Sequence, residues 1–368
     1  MDTTNTTAAN SGLEGVVVAD TRLSEVDGER GRLVVAGHDI ERLAGAASFE
    51  DVATLLWSGA LPGAEGREAQ RRALAEGRVR AFERLGASGD ALGLVDGMDA
   101  LRAATGHLSA HDGDDAPARL AGAVAVYAAA WARMRGGGQP IAPDPGLGHA
   151  ADYLRMLTGQ APEAARVAGL AAYLVTVADH GMNASTFTAR VVTSTGSDAV
   201  SAIVAAIGAL KGPLHGGAPG PVLDMLDAVG EPDRAAAWID AELAAGRRIM
   251  GMGHRIYRVR DPRAAVLERT IAGLEAAGVS TGRLALARAI ERAAEGALRL
   301  KYPGRPLAAN VEFYTAVLLD TVGIDRAAFA PTFAVGRVAG WCAHVLEQRA
   351  VGRLIRPASR YVGPAPAA

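Results

Sequence analysis

Residues 198–213 read DAVSAIVAAIGALKGP, and this stretch has the features of one complete buried helix. Asp198 is a residue type that caps helix N-termini, and Gly212-Pro213 is a typical stop. The residues between these ends are apolar on every side, so the helix must lie in a core or against a second subunit. Residues 167–178 form a similar run. Both runs are too short to span a bilayer, which takes about 18 or more apolar residues.

The same helix signals recur on both sides of this stretch. Three more N-terminal caps and two glycine stops are recognisable. The predicted starts are Ser48 (a capping box with Asp51), Asp261 (followed by Pro262) and Asn310, and the predicted stops are Gly59 and Gly323. β-Branched residues around Asp27-Gly28 predict one or two hairpins near the N-terminus, and residues 135–146, RGGGQPIAPDPG, predict a long loop. The predicted fold class is therefore mostly α, with a small N-terminal β-hairpin region.

The composition argues against several classes of protein. The chain has 368 residues, of which 49% are hydrophobic and 21% charged, as in a folded globular protein. Its net charge of -2 argues against a general nucleic-acid binder. No signal peptide or membrane span is recognisable, which predicts a cytoplasmic protein. The single cysteine, Cys342, excludes an internal disulfide and a thiolate metal cage, and its apolar neighbours predict that it is buried.

Three histidines lie in segments with neighbouring glycines. They are His180 in DHGMNAST, His215 in KGPLHGG and His254 in GMGHRIYRVRDPR. Glycine lets backbone and ligand approach closely, so these imidazoles are expected to line a cleft. Glu312 in NVEFY adds a carboxylate to the set. A lone histidine is more often structural, and three could also hold zinc, but their separations do not match a short metal motif.

The segment GMG at residues 251–253 is expected to expose backbone groups to a ligand. It lacks the third glycine of a dinucleotide fingerprint and lies among helices rather than after a strand. Four arginines flank it and could meet phosphate groups, although a solvated basic face is an equally ordinary interpretation. These arginines are Arg247, Arg248, Arg258 and Arg260.

Several segments together resemble, in order, the signature segments of citrate synthases. They are GLEGVVVADTRLSEVDGERGRL, DHGMNASTFTARVVTSTGSD, KGPLHGGA, GMGHRIYRVRDPRA, NVEFY, FAVGR and RLIRPASRYVGP. The resemblance runs from about Gly12 to Pro364, and the length is similar to that of the shorter, dimer-forming members. It implies an almost wholly helical, two-domain subunit of a homodimer. A small domain, residues 215–314, would close over a large domain formed by residues 1–214 and 315–368.

The resemblance also implies the substrates and a role for each candidate site residue. The substrates would be an acyl-CoA thioester such as acetyl-CoA and oxaloacetate. Independently of the resemblance, the single cysteine and the lack of a metal-spaced histidine pair predict that no metal ion or further cofactor is needed. His215 would stabilise the enol of the thioester, His254 would polarise the keto group of oxaloacetate, and Glu312 would be the base. The other implied residues are His180, Arg263 and Arg337 for oxaloacetate, Arg356 for the neighbouring subunit's site, and Arg248, Met250, Gly251, Met252 and Gly253 for coenzyme A.

The chain departs from the usual family pattern at four places. They are Glu312 in place of the aspartate base, Pro219 in place of an asparagine after HGGA, Ala358 at an often basic position, and Ala36-Gly37-His38 in place of Arg-Gly-Tyr. Citrate synthase activity is the expected function. A 2-methylcitrate synthase using propionyl-CoA would share every site residue and remains open. A paralogue that binds acyl-CoA or dicarboxylate with little turnover, suggested by Glu312, is the alternative of another class.

Overall fold

The structure is a computed structural model that describes residues 12–13, 15–114, 116–216, 219–305 and 307–364. Gly217 and Ala218 of the KGPLHGGA segment, the side chain of Pro219 and the N-terminal residues 1–11 lie outside this description. The described helices are α1 (Ile40–Leu43), α2 (Phe49–Ser58), α3 (Ala64–Glu83), α4 (Gly97–Thr105), α5 (Pro117–Arg135), α6 (His149–Thr158), α7 (Ala164–Val177), α8 (Ala184–Ser194), α9 (Ala199–Lys211), α10 (Pro219–Val229), α11 (Ala235–Ala244), α12 (Pro262–Ala276), α13 (Arg283–Lys301), α14 (Val311–Val322) and α15 (Phe329–Val351). The predicted, mostly α fold is confirmed.

A small antiparallel sheet precedes the helices. Its strands are β1 (Ser24–Asp27), β2 (Arg32–Val35) and β3 (His38–Asp39), hydrogen-bonded in that order. The predicted hairpin is therefore confirmed. Its turn packs closely on the segment after His254, because a Cβ at Gly28 would lie 2.3 Å from the carbonyl oxygen of Ile256. The sheet thus supports a segment that carries candidate site residues.

The predicted helix ends agree with the structure because they depend on neighbouring residues alone. The side chains of Asp198 and Asn310 accept hydrogen bonds from the backbone N–H groups of Ser201 and Glu312. Ser48 and Asp51 form the predicted capping box. The other predicted signals are also observed: Asp261 caps α12, Gly59 and Gly323 end their helices in the left-handed conformation, and residues 136–148 connect α5 to α6 without a helix.

The core is built from helices that pack on α15. This helix contacts α5, α7, α8 and α9, and nearly all of its residues from Phe329 to Val345 are buried. The apolar run of α7 is buried from Leu170 onward, apart from Ala171. The run in α9 is buried on one face only, because Val204 and Ala205 on its other side remain half-buried in the single chain. Among the described residues, no helix combines the length and hydropathy that a membrane span requires.

One helix of the structure, α14, contains a boundary of the predicted two-domain division. The boundary between residues 314 and 315 falls inside α14, which is one continuous helix. α14 packs on α12 and α10, which lie in the predicted small domain, and also on α7, which lies in the predicted large domain. The division of the chain into these domains stays a prediction.

Candidate active site

Two of the three histidines lie in ring contact. His180 follows α7, and its ring centroid is 5.6 Å from that of His254. Tyr257 packs on both rings, and its hydroxyl is 3.1 Å from Nε2 of His180. Burial and the positive charges of Arg263 and Arg337 hold the pKa of His180 well below its usual value. His180 is therefore neutral at pH 7 and can act as a fixed hydrogen-bonding group.

The tautomer of His254 follows from its backbone contacts. Its Nδ1 accepts hydrogen bonds of 3.0 and 3.1 Å from the backbone N–H groups of Ile256 and Tyr257. Because a backbone N–H can only donate, Nδ1 is unprotonated and the ring proton is on Nε2. Burial, together with the charge of Arg263, lowers the pKa of His254 to about 4. The residue thus presents a neutral Nε2–H donor.

His215 lies in the turn after α9 and contacts the first turn of α8. Its Nε2 is 2.8 Å from the hydroxyl of Ser185 and 3.4 Å from the backbone nitrogen of the same residue. The indole N–H of Trp341 donates to that hydroxyl at 3.1 Å. The Ser185 hydroxyl also donates to Oδ1 of Asn183 at 2.8 Å, so the contacts of Ser185 are compatible with the ring proton of His215 on either nitrogen. Burial, with the charge of Arg337, lowers the pKa of His215 to about 4, so this imidazole is also neutral.

Glu312 is a buried carboxyl group in the first turn of α14. Only 9% of the residue is exposed, and its Oε2 has no hydrogen-bond partner among the described residues. Burial raises the pKa of Glu312 to about 7, although the charges of Arg263 and Arg337 act in the opposite direction. A carboxyl group with a pKa near the working pH has the property that a general base requires.

The two buried arginines differ in how much of the guanidinium is engaged. Arg337 is 1% exposed and uses Nε for a 2.6 Å bond to the carbonyl oxygen of Val177. Burial lowers the pKa of Arg337 to about 10, so the group still carries its charge at pH 7. Arg263 instead makes a bidentate pair with Asp261, at 3.0 and 2.7 Å. That pair engages Nε and Nη2 of Arg263, and the predicted binding of a substrate carboxylate by this residue stays a prediction.

Three of the six backbone N–H and C=O groups of the GMG segment are hydrogen-bonded within the chain, and its predicted contact with a ligand stays a prediction. The carbonyl oxygens of Gly251 and Gly253 accept bonds from Asn310, and the N–H of Gly253 donates to Ala308. Both glycines have positive φ, of 73° and 87°. A Cβ at Gly251 would lie 2.9 Å from Cβ of Phe313. The two glycines therefore let residues 251–253 pack against the start of α14. These residues immediately precede His254, and Glu312 lies in the first turn of α14.

Two of the arginines that flank GMG are held in ion pairs rather than left free for phosphate groups. Arg260 contacts Glu291 at 2.7 Å and Glu268 at 2.8 Å. Arg247 pairs with Glu242. The partners lie on α11, α12 and α13, so sequence spacing gave no indication of them. Arg248, one of the residues predicted to bind coenzyme A, is exposed.

The remaining predicted site residues are two methionines of the 250–252 segment and one arginine near the C-terminus. Met250 is half-buried and Met252 is buried beside the bonded glycine segment. Arg356 is not brought to the cluster within one chain. It lies in the exposed, extended segment after α15. In the parts of the chain that the structure describes, no three histidine, cysteine or acidic side chains are placed to hold a metal ion.

Sequence reasoning missed a buried polar network behind His180. Asp179 accepts a 2.5 Å hydrogen bond from Ser24 of β1 and lies 3.2 Å from Nε2 of His344 on α15. Arg190 of α8 donates to Nδ1 of His344 at 2.9 Å, so the ring proton of His344 faces Asp179. The network joins four parts of the chain around the loop that holds His180. The position of Asp179 next to His180 was the only sequence signal for it.

Comparison with known proteins identifies the family. Residues 12–358 match the family described as "Citrate synthase, C-terminal domain". A citrate synthase of Haloferax volcanii is 40% identical, covering 96% of this chain and 95% of its own. A 2-methylcitrate synthase of Mycobacterium tuberculosis is 41% identical, covering 96% of this chain and 90% of its own.

Solved structures agree with this assignment. A citrate synthase of Thermotoga maritima is 34% identical with a TM-score of 0.84, and 97% of each chain is covered. The ternary complex of carboxymethyl coenzyme A and oxaloacetate with the citrate synthase of Thermoplasma acidophilum is 27% identical, with a TM-score of 0.87 and 97% of each chain covered. The chain described here belongs to the citrate synthase family of condensing acyltransferases.

Proposed function

We propose that this chain condenses acetyl-CoA with oxaloacetate and hydrolyses the citryl thioester to citrate and coenzyme A. The observation that carries the proposal is the combination of one buried carboxyl group with two neutral imidazoles. Glu312 has a pKa of about 7, whereas His215 and His254 have pKa values of about 4. Groups whose environments move their pKa values apart are suited to separate acid and base roles.

The first step is removal of a proton from the acyl methyl group. The ionised carboxylate of Glu312 takes the proton, and the electron pair moves through the carbon–carbon bond to the thioester oxygen. A proton next to a thioester is only weakly acidic, so the oxyanion needs a fixed donor. In the proposed mechanism His215, a neutral imidazole, supplies this donor from its Nδ1–H. Such a donor lowers a barrier by about 3–4 kcal/mol in comparable sites.

Carbon–carbon bond formation follows. The enolate carbon attacks the keto carbon of oxaloacetate, and the electron pair of that carbonyl moves to its oxygen, which Nε2–H of His254 polarises. That oxygen then takes up one proton, which balances the proton held by Glu312. Arg337 and Nη1 of Arg263 would hold the two carboxylates of the substrate. His180, fixed by Tyr257, completes the oxaloacetate side of the site. Water then cleaves the citryl thioester, releasing coenzyme A. Every group in this scheme is a side chain, so a chelator should leave the reaction unaffected.

Closure of the small domain, residues 215–314, would assemble the site. His215, His254 and Glu312 lie within these residues, whereas His180 and Arg337 lie outside them. Closing the two parts around both substrates would exclude water until the new bond has formed. The bonded segment 251–253, with Met250 and the exposed Arg248, is the part of the small domain proposed to contact coenzyme A.

We further propose a homodimer in the cytoplasm, where coenzyme A thioesters are found. Several apolar side chains of the C-terminal segment are exposed in the single chain, including Leu354 at 54% and Val362 at 83%. A second copy of the chain would cover them and the half-buried side of α9. Arg356 lies in the same segment, between these two residues, and is proposed to enter the neighbouring subunit's site.

A 2-methylcitrate synthase remains a second candidate, because a relative with that name is 41% identical. An extra methylene on the acyl group is discriminated by only about 1–3 kcal/mol in an apolar pocket. Coenzyme A release should be measured with oxaloacetate and either acetyl-CoA or propionyl-CoA, comparing kcat/KM. A higher value for acetyl-CoA supports the first proposal, and a higher value for propionyl-CoA supports the second. No release with either thioester would contradict both and favour a binding paralogue.

A further inference from the structure

Three buried oxygen atoms near Glu312 have no hydrogen-bond partner among the described residues. They are the hydroxyl of Tyr173 on α7, the hydroxyl of Thr315 on α14, and Oε2 of Glu312 itself. Tyr173 and Thr315 are both 0% exposed. Buried polar atoms are nearly always hydrogen-bonded, and leaving one unpaired is costly. Three such atoms in one region therefore indicate contacts that form in some state of the site.

The three atoms belong to one cluster between two packed helices. α7 packs on α14, and Thr315 follows Glu312 by three residues, so both lie on the same side of α14. The Thr315 hydroxyl acts to lower the pKa of Tyr173, while the negative charge of Glu312 acts to raise it. Tyr173 is thus close to both groups. Since Oε2 is the enclosed oxygen of Glu312, Oε1 is the oxygen left to face the cleft.

We propose that Tyr173 and Thr315 are positioning residues for Glu312, joined by a chain of hydrogen bonds that ends on Oε2. The Thr315 hydroxyl donates to the Tyr173 oxygen, and the Tyr173 hydroxyl donates to the ionised carboxylate. This arrangement gives each of the three oxygens a partner. The inference rests on the proposed role of Glu312 as the base.

The chain of hydrogen bonds gives a physical reason for a glutamate at this position. Glutamate has one more methylene and one more rotatable bond than the aspartate usual in the family. A fixed donor behind Oε2 restricts that added freedom and orients Oε1 toward the acyl group. Misplacement of a reacting group by about 1 Å can lower a rate by about a hundredfold. The hydroxyl of Tyr173 would prevent such misplacement.

The charged groups around Glu312 determine how its pKa should respond. Arg263 of α12 and Arg337 of α15 lower the pKa of Glu312, and Asp261 raises it. Tyr173 of α7 is uncharged, and burial together with the charge of Glu312 raises its pKa. The pKa of Glu312 itself is raised to about 7. A hydroxyl that donates to the carboxylate favours the ionised form, so its removal should raise the pKa of Glu312.

The test measures the pKa of Glu312 directly in Tyr173→Phe. Glutamate δ-carbons are labelled with ¹³C, and the resonance of Glu312 is assigned by its absence in Glu312→Gln. We expect the pKa of Glu312 to rise by about one unit, the effect of losing one hydrogen bond to a charged group. The acid limb of kcat should move by the same amount. Thr315→Val should shift the pKa in the same direction, and Thr315→Ser should restore it.

Tyr153→Phe is a matched control. Tyr153 is also a fully buried tyrosine, and its hydroxyl lies 2.8 Å from that of Thr332. This control should lower stability without moving the pKa of Glu312 or the acid limb. The double variant Glu312→Asp/Tyr173→Phe should have the same acid limb of kcat as Glu312→Asp alone. The shorter aspartate carboxylate would not reach the phenol, so removing the phenol hydroxyl changes nothing further.

The outcomes separate this inference from the proposed function. An unchanged pKa of Glu312 in folded Tyr173→Phe and in Thr315→Val would overturn the inference, whatever the activity. Near-normal turnover of Glu312→Gln would overturn the role of Glu312 as the base, while the labelled carboxyl would still report the contact with Tyr173. If Tyr173→Phe does not fold, Thr315→Val, which keeps the shape of threonine, decides the inference alone.

Discussion

The side-chain amide of Asn310 donates a 2.9 Å hydrogen bond to the carbonyl oxygen of Gly253. Gly253 immediately precedes His254, and the carbonyl of Asn310's side chain accepts the backbone N–H of Glu312 at 3.0 Å. One residue therefore joins the loop of one proposed catalytic group to the helix of another. The distance between these two groups depends on this link.

We expect Asn310→Ala to lower kcat by about tenfold to a hundredfold, because it releases the loop and removes the cap of α14. Loss of a cap alone costs about 1 kcal/mol of stability. Asp198→Ala is the matched control, since Asp198 caps α9 in the same way but away from the site. It should lower the unfolding free energy by a similar amount and leave kcat unchanged. Equal kcat values for both variants would show that Asn310 acts only as a cap.

Tyr257→Phe should weaken oxaloacetate binding. The substitution keeps the ring contacts with His254 and removes the hydroxyl beside Nε2 of His180. Loss of one such hydrogen bond corresponds to about 1 kcal/mol, or about a fivefold rise in KM for oxaloacetate. Steady-state kinetics at saturating acyl-CoA measures it. Tyr302→Phe, at an exposed tyrosine, is the control, and an unchanged KM in Tyr257→Phe would remove this residue from the site.

The local features of the fold were predictable from sequence because they depend on residues close in the chain. The caps at Asp198 and Asn310 are examples, each satisfied within three residues. The family resemblance implied that His215, His254 and Glu312 share one site, and this stays a prediction. The tertiary contacts were not predictable. The hydroxyl of Tyr257, for example, contacts Nε2 of His180, 77 residues earlier in the chain, and no spacing rule indicates that contact.

The GMG segment shows how much a local pattern leaves open. Glycines indicate close approach, but the sequence does not say which groups approach. In the structure Asn310 and Phe313 of the same chain approach these glycines, and the predicted contact with coenzyme A stays a prediction. Similarly, the partner of Arg263 is Asp261, two residues away, yet only the folded structure shows that both carboxylate oxygens are engaged.

The pH dependence of turnover should show one acid limb, with a midpoint near pH 7. The pKa of Glu312 is raised to about 7, and a base must be ionised to act, so kcat should fall about tenfold per pH unit below that value. His215 and His254, with pKa values of about 4, stay neutral from pH 5 to pH 9 and add no limb there. Single-turnover rates across this range test the expectation. A limb near pH 4.5 would indicate a carboxyl group unperturbed by burial.

Complementation between subunits tests the composite site. Arg356→Ala and His215→Ala should each be nearly inactive as homodimers. After mixing and subunit exchange, half of the mixed dimers' sites would regain both groups, so activity should recover to about a quarter of the wild-type level. Light scattering should report a dimer in every sample. No recovery despite exchange, or full activity as a monomer, would contradict the proposed entry of Arg356 into the neighbouring site.

The most direct test of the account is Glu312→Gln, studied by two measurements on one preparation. Coenzyme A release reports the reaction, and calorimetric titration reports oxaloacetate binding. Glutamine keeps the shape of the side chain and removes its basicity, so condensation should be abolished while the Kd for oxaloacetate stays near the wild-type value. Glu312→Asp should not be faster than wild type, because the proposed contact of Oε2 with Tyr173 positions the longer glutamate side chain. Near-normal coenzyme A release by Glu312→Gln would contradict the central claim that Glu312 is the base.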